Sequence, residues 1–238
     1  NLGKGLAKTI KEAYYATNSF VDAQVGRVLD KLKATGLDKN TIIVFTSDHG
    51  NHLGEHGHWQ KRTLFDNATR VPLIVAGPNI NKNEKIMDAP VELVDIYPTL
   101  MELLGMETPE FVSGISFAPL LKDSNARVRK SALTELGVNT GGKSKVQGYS
   151  IKTDRYRLTQ WGEGGILGYE LYDHKFDKEE LNNLSNNNDY RQIKDSLFII
   201  INRRISKVRD KPKGLGRQFV NAKEWYEPKS IHSQPKNN

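Results

Sequence analysis

The chain has 238 residues, 37% hydrophobic and 26% charged, with a formal net charge of +7 and no cysteine; this is the composition of a globular protein with polar loops, long enough to bury a substantial core. Disulfides and thiolate metal sites are excluded, although the compartment is not thereby settled, and no apolar run approaches a membrane span nor does the start, NLGKGLAKTIKEAYY, carry a signal-peptide core. The basic residues are spread rather than gathered into a patch with interleaved aromatics, so nucleic acid is not an expected partner, whereas an anionic carbohydrate suits the charge.

In chain order, Lys4 to Thr35 is predicted to be one amphipathic helix. Leu6, Ile10, Tyr14, Val21, Val25, Val28, Leu29 and Leu32 form an apolar stripe expected to cover a sheet, and Gly36 supplies a left-handed stop. Leu37 to Asn40 is a short connection. Two β-branched runs follow, Ile42 to Phe45 and Val71 to Ala76, with the length expected of fully buried strands. Between them lies a loop that holds four of the six histidines, His49, His52, His56 and His58, beside Asp48, Glu55 and Lys61. In open α/β sheets ligands gather beyond the carboxyl ends of the strands, which is where Asp48 and His49 would emerge.

Asp48 and His49 are adjacent, so they reach one point only after the chain leaves the sheet, and Gly50 would allow that departure. A metal ion is the natural meeting point; carboxylate oxygen suits calcium or magnesium and imidazole leans towards zinc, so the pair alone leaves the ion open. The competing reading is a turn-capping Asp with a surface His. His52, His56 and His58 would gather a zinc ion only in a helical or tightly turned backbone, and the glycines of the loop argue against that. Trp59 is expected to pack against the loop.

Beyond this, Gly77 to Asp88 reads as a polar loop. Asp95 is expected to cap a helix with Pro98 in its first turn and Leu100, Leu103 and Leu104 on its buried stripe, a structural role rather than a catalytic one. After Asp123-Ser124-Asn125 the texture changes. Ser131 to Leu136, Tyr149 to Lys152, Arg155 to Trp161 and Tyr169 to Tyr172 are short strands whose tight spacing favours antiparallel pairing, with Thr153-Asp154 at a hairpin tip. Tyr190 to Val208 is a helix with Ile193, Leu197, Ile200, Ile201 and Ile205 on its buried side, and Asp210 to Asn238 is expected to be mobile at its end, with Phe219, Trp225 and Tyr226 able to dock.

The ordered series Ser47-Asp48-His49-Gly50, Gly54-Glu55-His56-Gly57, Trp59, Lys61 and Arg70-Val71-Pro72-Leu73-Ile74 resembles the sulfatase family of the alkaline phosphatase superfamily. Phe65-Asp66-Asn67-Ala68-Thr69 resembles its iduronate-2-sulfatase branch; Asp95 to Thr99, Gly114-Ile115-Ser116, Pro119-Leu120-Leu121, Glu170-Leu171-Tyr172-Asp173 and Glu180 to Leu184 extend the likeness. The resemblance implies that Asp48 and His49 are two of four protein ligands of a divalent ion, usually calcium, that Lys61 contacts the sulfate, and that His56 lines the substrate pocket; an equally good reading of the residues has Glu55 and His56 hydrogen-bond within the loop and hold Lys61 in place. A periplasmic or extracellular location, lysosomal in a eukaryote, is implied likewise. The family's formylglycine arises from a Cys/Ser-x-Pro-Ser-Arg motif, and its other metal ligands include an Asp-Asp pair near the beginning; both are absent here.

The expectation is therefore the carboxyl-terminal half of an α/β sulfatase: residues 1–125 as half of the alkaline-phosphatase-like sandwich, 126–210 as a small antiparallel sheet with a packed helix, and 211–238 as a polar tail. The formylglycine and remaining ligands would come from an upstream N-terminal half. The complete enzyme would hydrolyse a sulfate ester on a carbohydrate or glycosaminoglycan, and this chain alone would be inactive. Two rivals are a phosphodiesterase or phosphonate monoester hydrolase of the same superfamily, and a fragment that binds sulfated glycans without cleaving them.

Overall fold

The computed structural model describes residues 2–78, 80, 86–139 and 145–209; the expected tail from Asp210 lies outside them. Helix α1 (Lys4–Ala34) ends at Gly36, whose φ of 72° supplies the anticipated left-handed stop. Strand β1 (Ile43–Thr46) is followed by the short strands β2 (His52–Leu53) and β3 (Trp59–Gln60), the helical turn α2 (Asp66–Thr69) and strand β4 (Leu73–Ala76). Helices α3 (Ile96–Leu103) and α4 (Ala118–Lys122) lead to strands β5 (Ala132–Asn139), β6 (Lys145–Lys152), β7 (Tyr156–Trp161) and β8 (Gly168–Asp173), and helix α5 (Arg191–Arg209) closes the series.

The second half of the chain builds a closed unit. Strands β5 to β8 pair antiparallel in sequence order, as short polar turns between alternating strands require. One face of this sheet carries Tyr149, Ile151, Leu158 and Leu171, which pack on Leu197, Ile201 and Ile205 of α5. Ile151, Leu158, Leu171 and Ile201 are wholly excluded from solvent; each such side chain contributes roughly 1.5–3 kcal/mol relative to exposure. The alternate residues of β6 and β7, Ser150, Arg157 and Thr159, are buried on the opposite face, and Arg157 reaches from there to Asp66 at the start of α2.

The first half is built otherwise. Strand β1 pairs antiparallel with β4, with Ile43 opposite Ala76 and Thr46 opposite Leu73, as a two-stranded ribbon. The expectation of fully buried strands fails, since Phe45 is 39% and Ile74 58% exposed. A ribbon of two strands can bury residues only where another layer covers them. Nor does α1 bury its stripe: none of its residues is buried, and Phe20 and Val28 stand 65% and 67% exposed. Periodicity marks an apolar face, but it carries no information about what covers that face.

Between the halves lies a second small core of Ala89, Phe117, Leu120 and Leu121, joined by Leu73 and Val75 of β4. Leu104 belongs to the exposed side of α3, at 60%, and Pro98 and Thr99 are its buried residues, which corrects the anticipated stripe. Asp95 occupies the N-cap position of α3 as expected, but its side chain makes no cap bond to that helix. Its fully buried carboxylate turns back to accept from Glu92 N–H at 2.9 Å and from Ile115 N–H at 2.7 Å, and it pairs with Arg129. Burial alone would lower the Arg129 pKa, but the hydrogen bond to Asp95 and the Glu92 charge outweigh it and raise the group. Glu92 in turn accepts from Leu133 N–H of β5 and from Arg204 of α5, so this network ties the small core to the sheet.

Candidate active site

The loop from β1 to β4 is shaped by its own short hairpin. His52 faces Gln60 and Leu53 faces Trp59 across β2 and β3, a pairing that periodicity could not reveal in strands this short. The Trp59 ring lies over Gly54, as packing required: a Cβ there would come 3.4 Å from the indole. Gly50 serves a different purpose from the sharp turn expected of it. Its N–H donates to Ala68 O at 2.8 Å, and a Cβ would fall 2.0 Å from Asn67 O, so glycine is needed for close approach to α2.

Asp48, His49 and Lys61 come together. His49 Nδ1 lies 2.8 Å from Gly50 O, so the tautomer that donates there leaves Nε2 as an acceptor. Lys61 Nζ donates to that Nε2 at 2.6 Å, and the Asp48 carboxylate stands 3.4 Å from the same atom. These three residues line one open cleft of about 2130 Å³, shared with Arg62, Asp66 and Arg157. The Asp48 carboxylate and His49 Nε2, 3.4 Å apart, are an oxygen and a nitrogen donor of the kinds a divalent ion takes, with Lys61 on that nitrogen here, and two donors are fewer than the six or more that calcium takes.

His56 is placed differently. Its ring stacks on Phe65 at 3.9 Å and 4° between planes, and it is not among the residues lining that cleft. His52 is fully buried with Nε2 2.6 Å from Thr63 Oγ1. Burial, followed by the neighbouring His58 and His56, pushes its pKa below the ordinary value. The ring centroids of His56 and His58 lie 5.9 and 5.7 Å from that of His52, but their nitrogens do not converge as a ligand set. Glu55 accepts from Leu53 N–H; burial opposes its charge, yet this bond and that of its own N–H outweigh burial and lower its pKa.

Among the described residues, the His and carboxylate atoms that do converge belong to Asp66, His174 and Glu180. A cation already serves them. The Arg157 guanidinium binds both Asp66 and Glu180, His174 Nε2 is 2.7 Å from Glu180 Oε1, and Glu180 Oε2 accepts from Asp66 N–H at 2.8 Å. Sequence reading did not single out Arg157 or His174, and placed Asp66 and Glu180 only within matched motifs. Asp66 and Glu180 lie 114 positions apart.

Residues 7–106 match the sulfatase family model. Over 78% of its length the chain is 41% identical to a sulfatase of Formosa agariphila, of which it spans 34%. These matches make the chain similar to the sulfatase family. A protein solved in complex with its substrate, D-glucosamine-2-N,6-O-disulfate, superposes with a TM-score of 0.79 and 31% identity, covering 90% of this chain and 45% of that one. A phosphonate monoester hydrolase of Silicibacter pomeroyi aligns with a TM-score of 0.69 and 27% identity, over 79% of this chain and 39% of that one. The fold is thus part of the alkaline-phosphatase-like α/β architecture with its small antiparallel sheet, and the chain spans about a third of the length of the curated sulfatase it matches.

Proposed function

We propose that this chain supplies the Asp48, His49 and Lys61 portion of a sulfatase active site, and that the complete enzyme hydrolyses sulfate esters on a carbohydrate of the glycosaminoglycan type. The observation that carries the reading is the convergence of Lys61 Nζ and Asp48 on His49 Nε2 in an open cleft. The glucosamine disulfate bound by a structural relative supports a sulfated amino sugar as substrate class.

In this reading Asp48 and His49 Nε2 hold two coordination positions of a divalent ion, with calcium preferred for its tolerance of oxygen-rich sites. When bound, the ion supplies positive charge that stabilises the oxyanions of the reacting group. Lys61 is placed to offset the growing negative charge of the transferred sulfate, an effect that counts most in the transition state. Residues elsewhere in the complete enzyme, an upstream half carrying the formylglycine nucleophile, provide the rest. The exposed stripe of α1 and the uncovered sides of the β1–β4 ribbon support such a partner, because exposed apolar area of this extent favours burial against another surface. A boundary near residue 125 fits the two separate cores. No helix among the described residues is long and apolar enough to cross a membrane, and a periplasmic, extracellular or lysosomal compartment is carried with the family.

The test is turnover by the complete enzyme on glucosamine 6-sulfate and on a phosphonate monoester, with Lys61→Ala beside the parent. Preference for the sulfate ester and a loss of about a hundredfold in kcat for the variant are expected. A preference for the phosphonate would favour the related hydrolase class represented among the structural relatives. Full kcat and KM in Lys61→Ala would remove the lysine from the mechanism, and sulfated-glycan binding without turnover would leave only a binding module.

A further inference from the structure

Lys61 occupies a loop whose shape is set from the far side of the molecule. Three non-glycine residues among those described have positive φ: His56 at 55°, Gln60 at 77° and Glu180 at 55°. Such conformations are uncommon and persist where the surroundings over-determine them. Gln60 directly precedes Lys61, and Glu180 is the buried residue that grips the end of the same loop.

The grip is bivalent. Glu180 Oε2 takes the Asp66 backbone N–H at 2.8 Å, while Oε1 receives both Arg157 and His174. Arg157, itself 2% exposed, closes the figure by binding the Asp66 carboxylate and Ser150 Oγ. Asp66 is therefore held by its main chain and its side chain at once. Further tethers point the same way: Arg62 donates to Gly137 O of β5 at 3.2 Å, and Thr63 Oγ1 meets His52. Four of these contacts start from Arg62, Thr63 or Asp66, just after Lys61, and two of them, to Arg157 and to Gly137, end on the C-terminal sheet. The guanidinium occupies the place where Asp66, Glu180 and His174 would otherwise converge on a metal, and it fixes position without offering a site for exchange with solvent ions.

We propose that Glu180, oriented by Arg157 and His174, is a positioning residue for Lys61, so that the C-terminal sheet sets the direction of the sulfate-contacting amine. Its consequence for catalysis rests on the sulfate-contacting reading of Lys61; the geometric claim does not. The experiment accordingly reads the amine itself. In the 238-residue chain, the acylation rate of Lys61 by an amine-reactive ester is followed by peptide mass spectrometry against Lys8, whose side chain is 79% exposed. Hydrogen exchange at the Asp66 amide is measured in parallel.

Glu180→Gln and Arg157→Met are expected to accelerate Asp66 exchange by about tenfold or more, the scale of a lost charged hydrogen bond, and to raise the Lys61 rate severalfold at unchanged Lys8. Leu158→Ala, which weakens the same sheet from its other face, serves as the control for general destabilisation and should leave the native Lys61 rate alone. Should Arg157→Met fail to fold, Asp66→Asn removes one arm of the clamp from the loop side and carries the same expectation. Unaltered Lys61 reactivity in folded Glu180→Gln, or an equal rise in Leu158→Ala, overturns the proposal. In the complete enzyme Glu180→Gln should lower kcat more than it raises KM; a change in KM alone would leave the clamp intact and detach Lys61 from the transition state.

Discussion

The C-terminal sheet with α5 and the N-terminal helix with its ribbon are equally apolar in pattern but opposite in burial. In the first, Ile151, Leu158, Leu171 and Ile201 are sealed by neighbours a few turns away along the chain. In the second, Phe20, Val28, Phe45 and Ile74 stay between 39% and 67% exposed. The difference teaches that one region is self-sufficient through local pairing, whereas the other presents an apolar surface whose proposed complement is the remainder of the sulfatase fold. The candidate active site lies at the meeting of the two, with Asp48 and His49 at the end of a ribbon strand and the Lys61 loop clamped by the closed sheet.

The contrast can be broken at its seam. Arg129→Met leaves Asp95 buried and unpaired, and should cost about 3–5 kcal/mol in urea unfolding; a loss below about 1 kcal/mol would mean that the network joining α3, β5 and α5 is dispensable. Within the closed unit, Leu158→Ala is expected to cost about 2–5 kcal/mol by opening a cavity. Acid provides a gentler probe. Burial opposes the Glu180 charge, but His174, Arg157 and the Asp66 N–H outweigh it and hold the carboxyl below its ordinary value of 4.5, while Arg155 holds Asp173 below 3.8. A depressed carboxyl contributes stability that is complete above its unfolded pKa and is lost as pH falls through the folded one. The urea midpoint should therefore begin to drop as pH falls below 4.5 and continue down through the depressed folded values; a midpoint that holds constant to pH 3 would contradict the ion-pair assignment. Smallest of all, Phe20→Ser on α1 should alter the stability of this chain by no more than about 0.5 kcal/mol, and a core-sized loss there would show that the stripe is already covered.

The sheet and α5 were legible because alternation and 3.6-residue periodicity are local signals, and Thr153-Asp154 marked the hairpin by turn chemistry alone. The lysine loop was legible as an ordered series of residues. Its clamp was not: Arg157 and Asp66 stand 91 positions apart, and an arginine on a strand carries no mark of the carboxylates it meets. Asp95 was rightly read as structural, yet its partners Arg129 and Ile115 emerge only when α3 packs. The burial of α1 and β1 was misjudged for a related reason, since an apolar face is written in the sequence whereas the layer against it is not.

The central claim is that Asp48, His49 and Lys61 act at one point, and crystallography of the complete enzyme with calcium and inorganic sulfate tests it most directly. The account predicts the Asp48 carboxylate and His49 Nε2 on the ion, with oxygen distances of about 2.3–2.6 Å, and Lys61 Nζ turned from His49 to the sulfate. An ion held elsewhere, with Asp48 and His49 in separate hydrogen-bond networks and Lys61 away from the sulfate, would contradict it.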